Sequence, residues 1–221
     1  MTWDEYATAW SGLHGGLDPR RASPVVRGWV RGAYEIGCWL NHRHVAPVVV
    51  TVTGLLLCLA VPLAALAGPV GLALGALLVL LAAAADGLDG AVAVVSGRAG
   101  RAGYVYDSVV DRVGELAWLV AFWVAGVPGW LTVTAGAASW LHEYVRARAA
   151  AAGMAEIGVV TVGERPTRVA VTISGLVVAP LAGLVADDGV LAVLVVAVGV
   201  WALLQAAGLI QLAFAVRRAL R

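Results

Sequence analysis

Asp86, Asp89, Asp107 and Asp111 stand on two segments that are otherwise almost wholly apolar, in the order Asp-x-x-Asp-Gly, then Gly-x-x-x-Asp-x-x-x-Asp. A carboxylate at a bilayer centre costs about 2.5–3.5 kcal/mol on insertion scales, so four unpaired ones would cost roughly 10 kcal/mol or more. A cation is therefore expected to neutralise them. Hard carboxylate oxygens select Mg²⁺, Mn²⁺ or Ca²⁺ over softer metals, and four of them suit two shared divalent ions. Paired metals about 3.5–4 Å apart serve an in-line displacement at phosphorus, one side stabilising the attacking oxygen and the other the leaving oxygen. Intramembrane aspartates also pair with arginines, here Arg98, Arg101 or Arg112, or belong to an ion or proton pathway. Residue type alone leaves those readings open.

The chemistry requires elements that bring the four side chains together. On one helix Asp86, Asp89, Gly90 and Ala93 fall at i, i+3, i+4 and i+7; on the next, Gly103, Asp107 and Asp111 fall at i, i+4 and i+8. Each set shares one face. Of the 221 residues 61% are hydrophobic and only 13% charged, and the mean hydropathy is +0.88. A soluble domain carries about 25% charged residues, so this composition describes an integral membrane protein. Apolar stretches fall at about 45–67, 69–95, 103–126, 128–151, 167–186 and 189–216. Each is near the roughly 20 residues that cross a hydrocarbon core. The expectation is an all-α bundle of six transmembrane helices. The fifteen residues Gly71 to Ala85 climb about 22 Å of a core about 30 Å thick, which puts Asp86 in its cytoplasmic third. The Gly97-Arg98-Ala99-Gly100-Arg101 turn then returns Asp107 and Asp111 to a similar depth.

All fifteen basic side chains are Arg, placed before residue 45, at 98–112, at 146–168 and at 217–221. By the positive-inside rule that side is cytoplasmic, and six spans put both termini there, in the plasma membrane. The absence of Lys excludes Schiff-base chemistry and a phosphate-binding P-loop. Two cysteines, Cys38 and Cys58, build neither a disulfide framework nor a zinc cluster and read as packing residues. The N-terminus lacks the pattern of a cleaved secretory signal. Residues 1–23 are expected to form a loosely ordered lead-in. Pro24 to Leu40 mixes Arg27, Arg31 and Glu35 with Val25, Trp29, Ile36 and Trp39, the pattern of an amphipathic helix lying on the cytoplasmic leaflet. The expected division is residues 1–44, lead-in and interfacial helix, and residues 45–221, the six-helix membrane domain.

The spacing carries a resemblance. Asp86-Gly-Leu-Asp89-Gly90-Ala-Val-Ala93-Val94, eight residues, then Gly103-Tyr-Val-Tyr-Asp107-Ser-Val-Val-Asp111 resembles the signature of the CDP-alcohol phosphotransferase family. That signature reads Asp-x-x-Asp-Gly-x-x-Ala-Arg, then Gly-x-x-x-Asp-x-x-x-Asp; only Val94 departs from it, standing where the family has Arg. The resemblance implies that Asp86, Asp89, Asp107 and Asp111 bind two metals, Mg²⁺ or Mn²⁺, together with the CDP diphosphate, and that Asp111 is also the general base. It implies a homodimer. A CDP-linked lipid, CDP-diacylglycerol, would give its phosphatidyl group to an alcohol and release CMP. Gly90, Ala93 and Gly103 would admit the nucleotide, although helix packing explains Gly90 and Ala93 equally well. Thr51, four residues after Pro47, resembles the threonine of a Pro-Asn/Asp-x-x-Thr segment beside the nucleotide; Val48 replaces its polar residue.

Tyr144-Val-Arg146-Ala-Arg148-Ala and Glu164-Arg165-Pro166-Thr-Arg168 resemble the matching segments of actinobacterial phosphatidylinositol-phosphate synthases. The resemblance implies that Arg146, Arg165 and Arg168 hold the phosphate of an anionic acceptor, inositol phosphate or glycerol 3-phosphate ahead of an uncharged polyol. An Arg fork suits phosphate oxygens, and topology-setting charge is the alternative. Leu212 stands where the resemblance leads one to expect Arg and cannot grip a phosphate. Two other classes compete. A degenerate relative would keep its metals and release no CMP, as Val48, Val94 and Leu212 suggest; an ion or proton transporter would move charge but has no need of Gly90, Ala93 and Gly103 at fixed offsets. His42 and His44 offer a His-x-His pair beside Arg43 that reads as a headgroup contact before a metal ligand.

Overall fold

The computed structural model describes residues 1–13, 15–154 and 160–221. Among them it has eight helices and no strand: α1 (Trp3–Leu13), α2 (Pro24–His42), α3 (Pro47–Ala65), α4 (Gly68–Val95), α5 (Arg101–Val124), α6 (Gly129–Ala151), α7 (Arg165–Ala182) and α8 (Gly189–Ala219). The six from α3 onward lie where the apolar stretches predict helices. By length and composition alone, three of them, α3, α4 and α8, are long and apolar enough to cross a membrane. Charged side chains such as Arg112, Glu115, Glu143 and Arg168 lower the others.

Helix boundaries follow local chemistry. Ser23 accepts a hydrogen bond from the Val26 amide, and Pro24 opens α2 where no intrahelical N–H is needed. Pro47 does the same for α3. Helix α4 is followed by Gly97, whose φ of 67° reverses the chain while the amides of Arg98 and Ala99 close on the Ala93 carbonyl. Only glycine takes that left-handed backbone without strain. Arg217 and Arg218 occupy the last turn of α8, where positive charge meets exposed carbonyls.

The chain divides into two compact units, Met1–Leu56 with Leu81–Asp111, and Leu57–Leu80 with Arg112–Arg221. In the first, Tyr6 and Val30 pack on Ala91 and Val94 of α4, while Val50, Ala85 and Val92 form a second cluster. Here the expected loose lead-in is corrected. Thr2 and Glu5 form a capping box: the Thr2 amide donates to Glu5 Oε2 at 2.7 Å and the Glu5 amide to Thr2 Oγ1 at 3.3 Å. The capped helix buries Tyr6 and Ala7, and Tyr34 donates its hydroxyl to the Met1 carbonyl at 2.9 Å. Burial pushes the Tyr6 phenol up to about 12. Apolar surface insufficient for a core of its own suffices when the neighbouring helices supply the rest.

In the second unit α8 packs along both α6 and α7. Its centre is apolar, with Trp118, Phe122, Leu176, Leu194 and Trp201 fully buried. The Trp201 indole donates to Ser139 Oγ at 2.9 Å. Helix α8 meets the α6–α7 connection closely at Gly208, where an added Cβ would stand 2.9 Å from the backbone nitrogen of Gly163. Gln205, one turn earlier, donates to the Gly163 carbonyl at 2.9 Å.

Candidate metal centre

In the first unit the carboxylate face of α4 meets that of α5. Asp86, Asp107 and Asp111 each present an oxygen within 4.8 Å of the other two, all three residues being half-buried. Like charges held this close repel unless a proton or cation intervenes. The donor set is all hard oxygen and fits Mg²⁺ or Mn²⁺. Asp89, expected in the same set, is buried, and its Oδ2 accepts a 2.6 Å hydrogen bond from Thr51 Oγ1. That hydroxyl also lies 3.2 Å from the Pro47 carbonyl. Thr51 thereby ties α3 to the signature helix.

Open space surrounds the small residues. A Cβ added at Gly90 or at Gly103 would meet nothing within 4 Å, so neither glycine is there to let helices touch. Ala93 is half-buried. The two departures in this unit differ from each other. Val48 is exposed on the first turn of α3, whereas Val94 is 8% exposed, enclosed by Tyr6, Val30 and Ala91.

The second unit carries its own polar cluster. Arg168, 1% exposed, has its Nε 2.9 Å from Glu115, donates to Glu143 at 2.9 Å and to the Gly163 carbonyl at 3.0 Å. Arg112 reaches the same two carboxylates at 3.0 and 3.1 Å. Beside them Arg146 pairs with Glu164, which also accepts from the amide and hydroxyl of Thr161; His142 Nε2 lies 2.9 Å from that hydroxyl. The three arginines expected to hold an acceptor phosphate, Arg146, Arg165 and Arg168, all belong to this unit. Arg168 is enclosed between carboxylates, Arg146 is held by one, and Arg165 is half-buried at the start of α7. Leu212 is buried against Ala149 and Met154, a packing role. Sequence reading missed Glu115, although a glutamate one turn beyond Asp111 in an apolar segment was a signal of burial with a partner.

Residues 44–216 match the family model of CDP-alcohol phosphatidyltransferase. No curated protein matches the chain. The fold is similar to a crystal structure of Mycobacterium tuberculosis phosphatidylinositol phosphate synthase with CDP-DAG bound, with a TM-score of 0.68, 24% identity, and coverage of 84% of this chain and 94% of that one. A second structure of the same synthase, in complex with manganese and citrate, gives a TM-score of 0.67 at 24% identity, covering 84% of this chain and 88% of that one. An apo form gives 0.64 at 24% identity, with 81% and 95% covered.

Proposed function

Because the chain belongs to the CDP-alcohol phosphatidyltransferase family, we propose that it transfers the phosphatidyl group of CDP-diacylglycerol to a small alcohol and releases CMP. The convergence of Asp86, Asp107 and Asp111 on one point carries this reading. These three, with Asp89, would hold two divalent ions, Mg²⁺ or Mn²⁺. When bound, the ions neutralise the diphosphate and the charge that develops on departing CMP. A phosphatidylinositol phosphate synthase of the same fold has been crystallised with CDP-DAG and, separately, with manganese, which supports both parts of the assignment.

The side chains divide the work. Asp111 accepts the proton of the acceptor hydroxyl as its oxygen attacks the lipid-side phosphorus. Thr51 holds Asp89 in one rotamer through the 2.6 Å hydrogen bond. Gly90, Ala93 and Gly103 leave the room that a nucleotide needs. Arg146 and Arg165 serve an anionic acceptor headgroup, and Arg168 braces the carboxylates around them.

In this reading α3 to α8 are six spans making residues 45–221 one membrane domain, of which α3, α4 and α8 meet the length and hydropathy of a span unaided. Residues 1–44 rest on the cytoplasmic leaflet through α2, whose exposed Val25, Trp29, Ile36 and Trp39 offer an apolar stripe beside Arg27 and Arg31. Both termini are cytoplasmic, the membrane is the plasma membrane, and the enzyme works as a homodimer, as the family does. A catalytically degenerate relative is the second reading, favoured by the apolar burial of Val94 and Leu212. Purified protein in detergent, given Mg²⁺, CDP-diacylglycerol and a panel of alcohols, decides between them. Release of CMP with at least one alcohol is expected; metal binding without CMP release from any acceptor overturns the transferase reading.

A further inference from the structure

Position 94 contributes no polar group to a ligand: Val94 is enclosed in an apolar cluster with Tyr6 and Ala91. The nucleotide end of the donor must then be recognised from elsewhere in the first unit. On α5 the face of Asp107 and Asp111 continues toward the helix start through Tyr104, and Arg101, one turn earlier, stands about 60° further round the helix. At 100° per residue Tyr104 lies within about 20° of Asp111, two turns away, and about 60° of Asp107, one turn away, around the helix axis. Its side chain is not core, being 67% exposed, and Arg101 just before it is exposed as well. The adjoining positions Gly90 and Gly103 border open space.

We propose that Tyr104 and Arg101 form the outer half of the donor site, Tyr104 stacking on the pyrimidine base and Arg101 meeting the phosphate or ribose oxygens. This rests on the CDP-lipid reading. A flat aromatic ring one turn from phosphate-binding carboxylates suits a base whose diphosphate lies on those carboxylates, since every base offers a π-face. A guanidinium contributes paired donors for phosphate oxygens where α4 contributes none. Tyr106 supplies an internal control. It is 66% exposed, nearly the same as Tyr104, but points about 160° away around the helix. An interfacial belt role would make the two tyrosines equivalent; base stacking would not.

The test measures KM for CDP-diacylglycerol and kcat, alongside binding of CMP by titration calorimetry in Mn²⁺. Tyr104→Ala is expected to raise KM and weaken CMP binding by about fivefold or more, with kcat changed less than KM, since stacking of this kind is sequence-tolerant binding energy. Tyr104→Phe should restore both values, because the ring and not the hydroxyl does the stacking. Arg101→Gln should weaken binding similarly, and Tyr106→Ala should leave it unchanged. Equal behaviour of Tyr104→Ala and Tyr106→Ala, or CMP binding indifferent to both Tyr104→Ala and Arg101→Gln, overturns the proposal. Should the unaltered protein release no CMP with any alcohol, the transferase reading fails by itself; the calorimetry still decides the stacking, because undiminished or absent CMP binding refutes it and selective loss supports it.

Discussion

The two units hold their buried charge in opposite ways. In the first, Asp86, Asp107 and Asp111 bring carboxylate oxygens within 4.8 Å of one another, and the nearby Asp89 accepts from a hydroxyl. In the second, Glu115 and Glu143 face the guanidiniums of Arg112 and Arg168. Carboxylates interleaved with guanidiniums hold helices in register, and their loss is felt in folding. Carboxylates that converge on one another suit a shared cation. What a buried carboxylate faces separates a candidate site from a brace where burial alone does not.

The largest test of that contrast is Asp111→Asn. General-base help is worth about 10²–10⁴-fold, so turnover should fall by that factor. The melting temperature of metal-free protein, read by size-exclusion recovery after heating, should hold or rise, because one repelling charge is gone. A fall comparable to that of a core substitution would break the comparison.

Glu115→Gln should do the reverse. It leaves Arg168 and Arg112 buried with less opposing charge, and removing one partner of a buried pair costs about 3–5 kcal/mol. Thermal recovery and yield should drop sharply. Retained stability would mean that the second cluster is not a brace.

A smaller effect sharpens the same point through ligand binding. Mn²⁺ at about 100 times its Kd should stabilise the protein by about 2.7 kcal/mol. Chelation with EDTA should reverse the gain, and Asp86→Asn with Asp107→Asn should abolish it, while Glu143→Gln should leave the increment in place. An increment in the double variant as large as in the unaltered protein would move the metal elsewhere.

The smallest effect concerns α1. The backbone amide of Thr2, and then its side chain, hold the Glu5 carboxyl below its ordinary pKa of 4.5. A depressed carboxylate stabilises above the unfolded pKa and ceases to as pH falls through the folded one. The protection of amides in residues 3–13, taken relative to their intrinsic exchange at each pH, should therefore fall slightly on acidification below about 4.5, and Glu5→Gln should flatten that response. Protection independent of pH in this window would remove the capping box from the account.

What was legible in the chain was what repeats locally. Helical spacing placed Asp107 and Asp111 on one face, and apolar runs bounded by Pro47, Gly97 and Gly189 marked where helices begin and end. What was not legible depends on partners distant in sequence. Nothing near Arg168 announces that Glu115 will enclose it, and Asp89 looks identical to Asp86 until Thr51 claims it. Helix α1 was readable in principle from Thr2-x-x-Glu5, but its stability comes from Tyr6 finding α4, a contact no window of residues contains.

That contact makes the side chains at positions 6 and 94 depend on each other. With Tyr6 filling the surface over Val94, an arginine at 94 would force either a guanidinium into an oily pocket or the displacement of α1. Val94→Arg alone is therefore expected to loosen α1, and pairing it with Tyr6→Ala, which opens the space, to restore tolerance of the larger side chain.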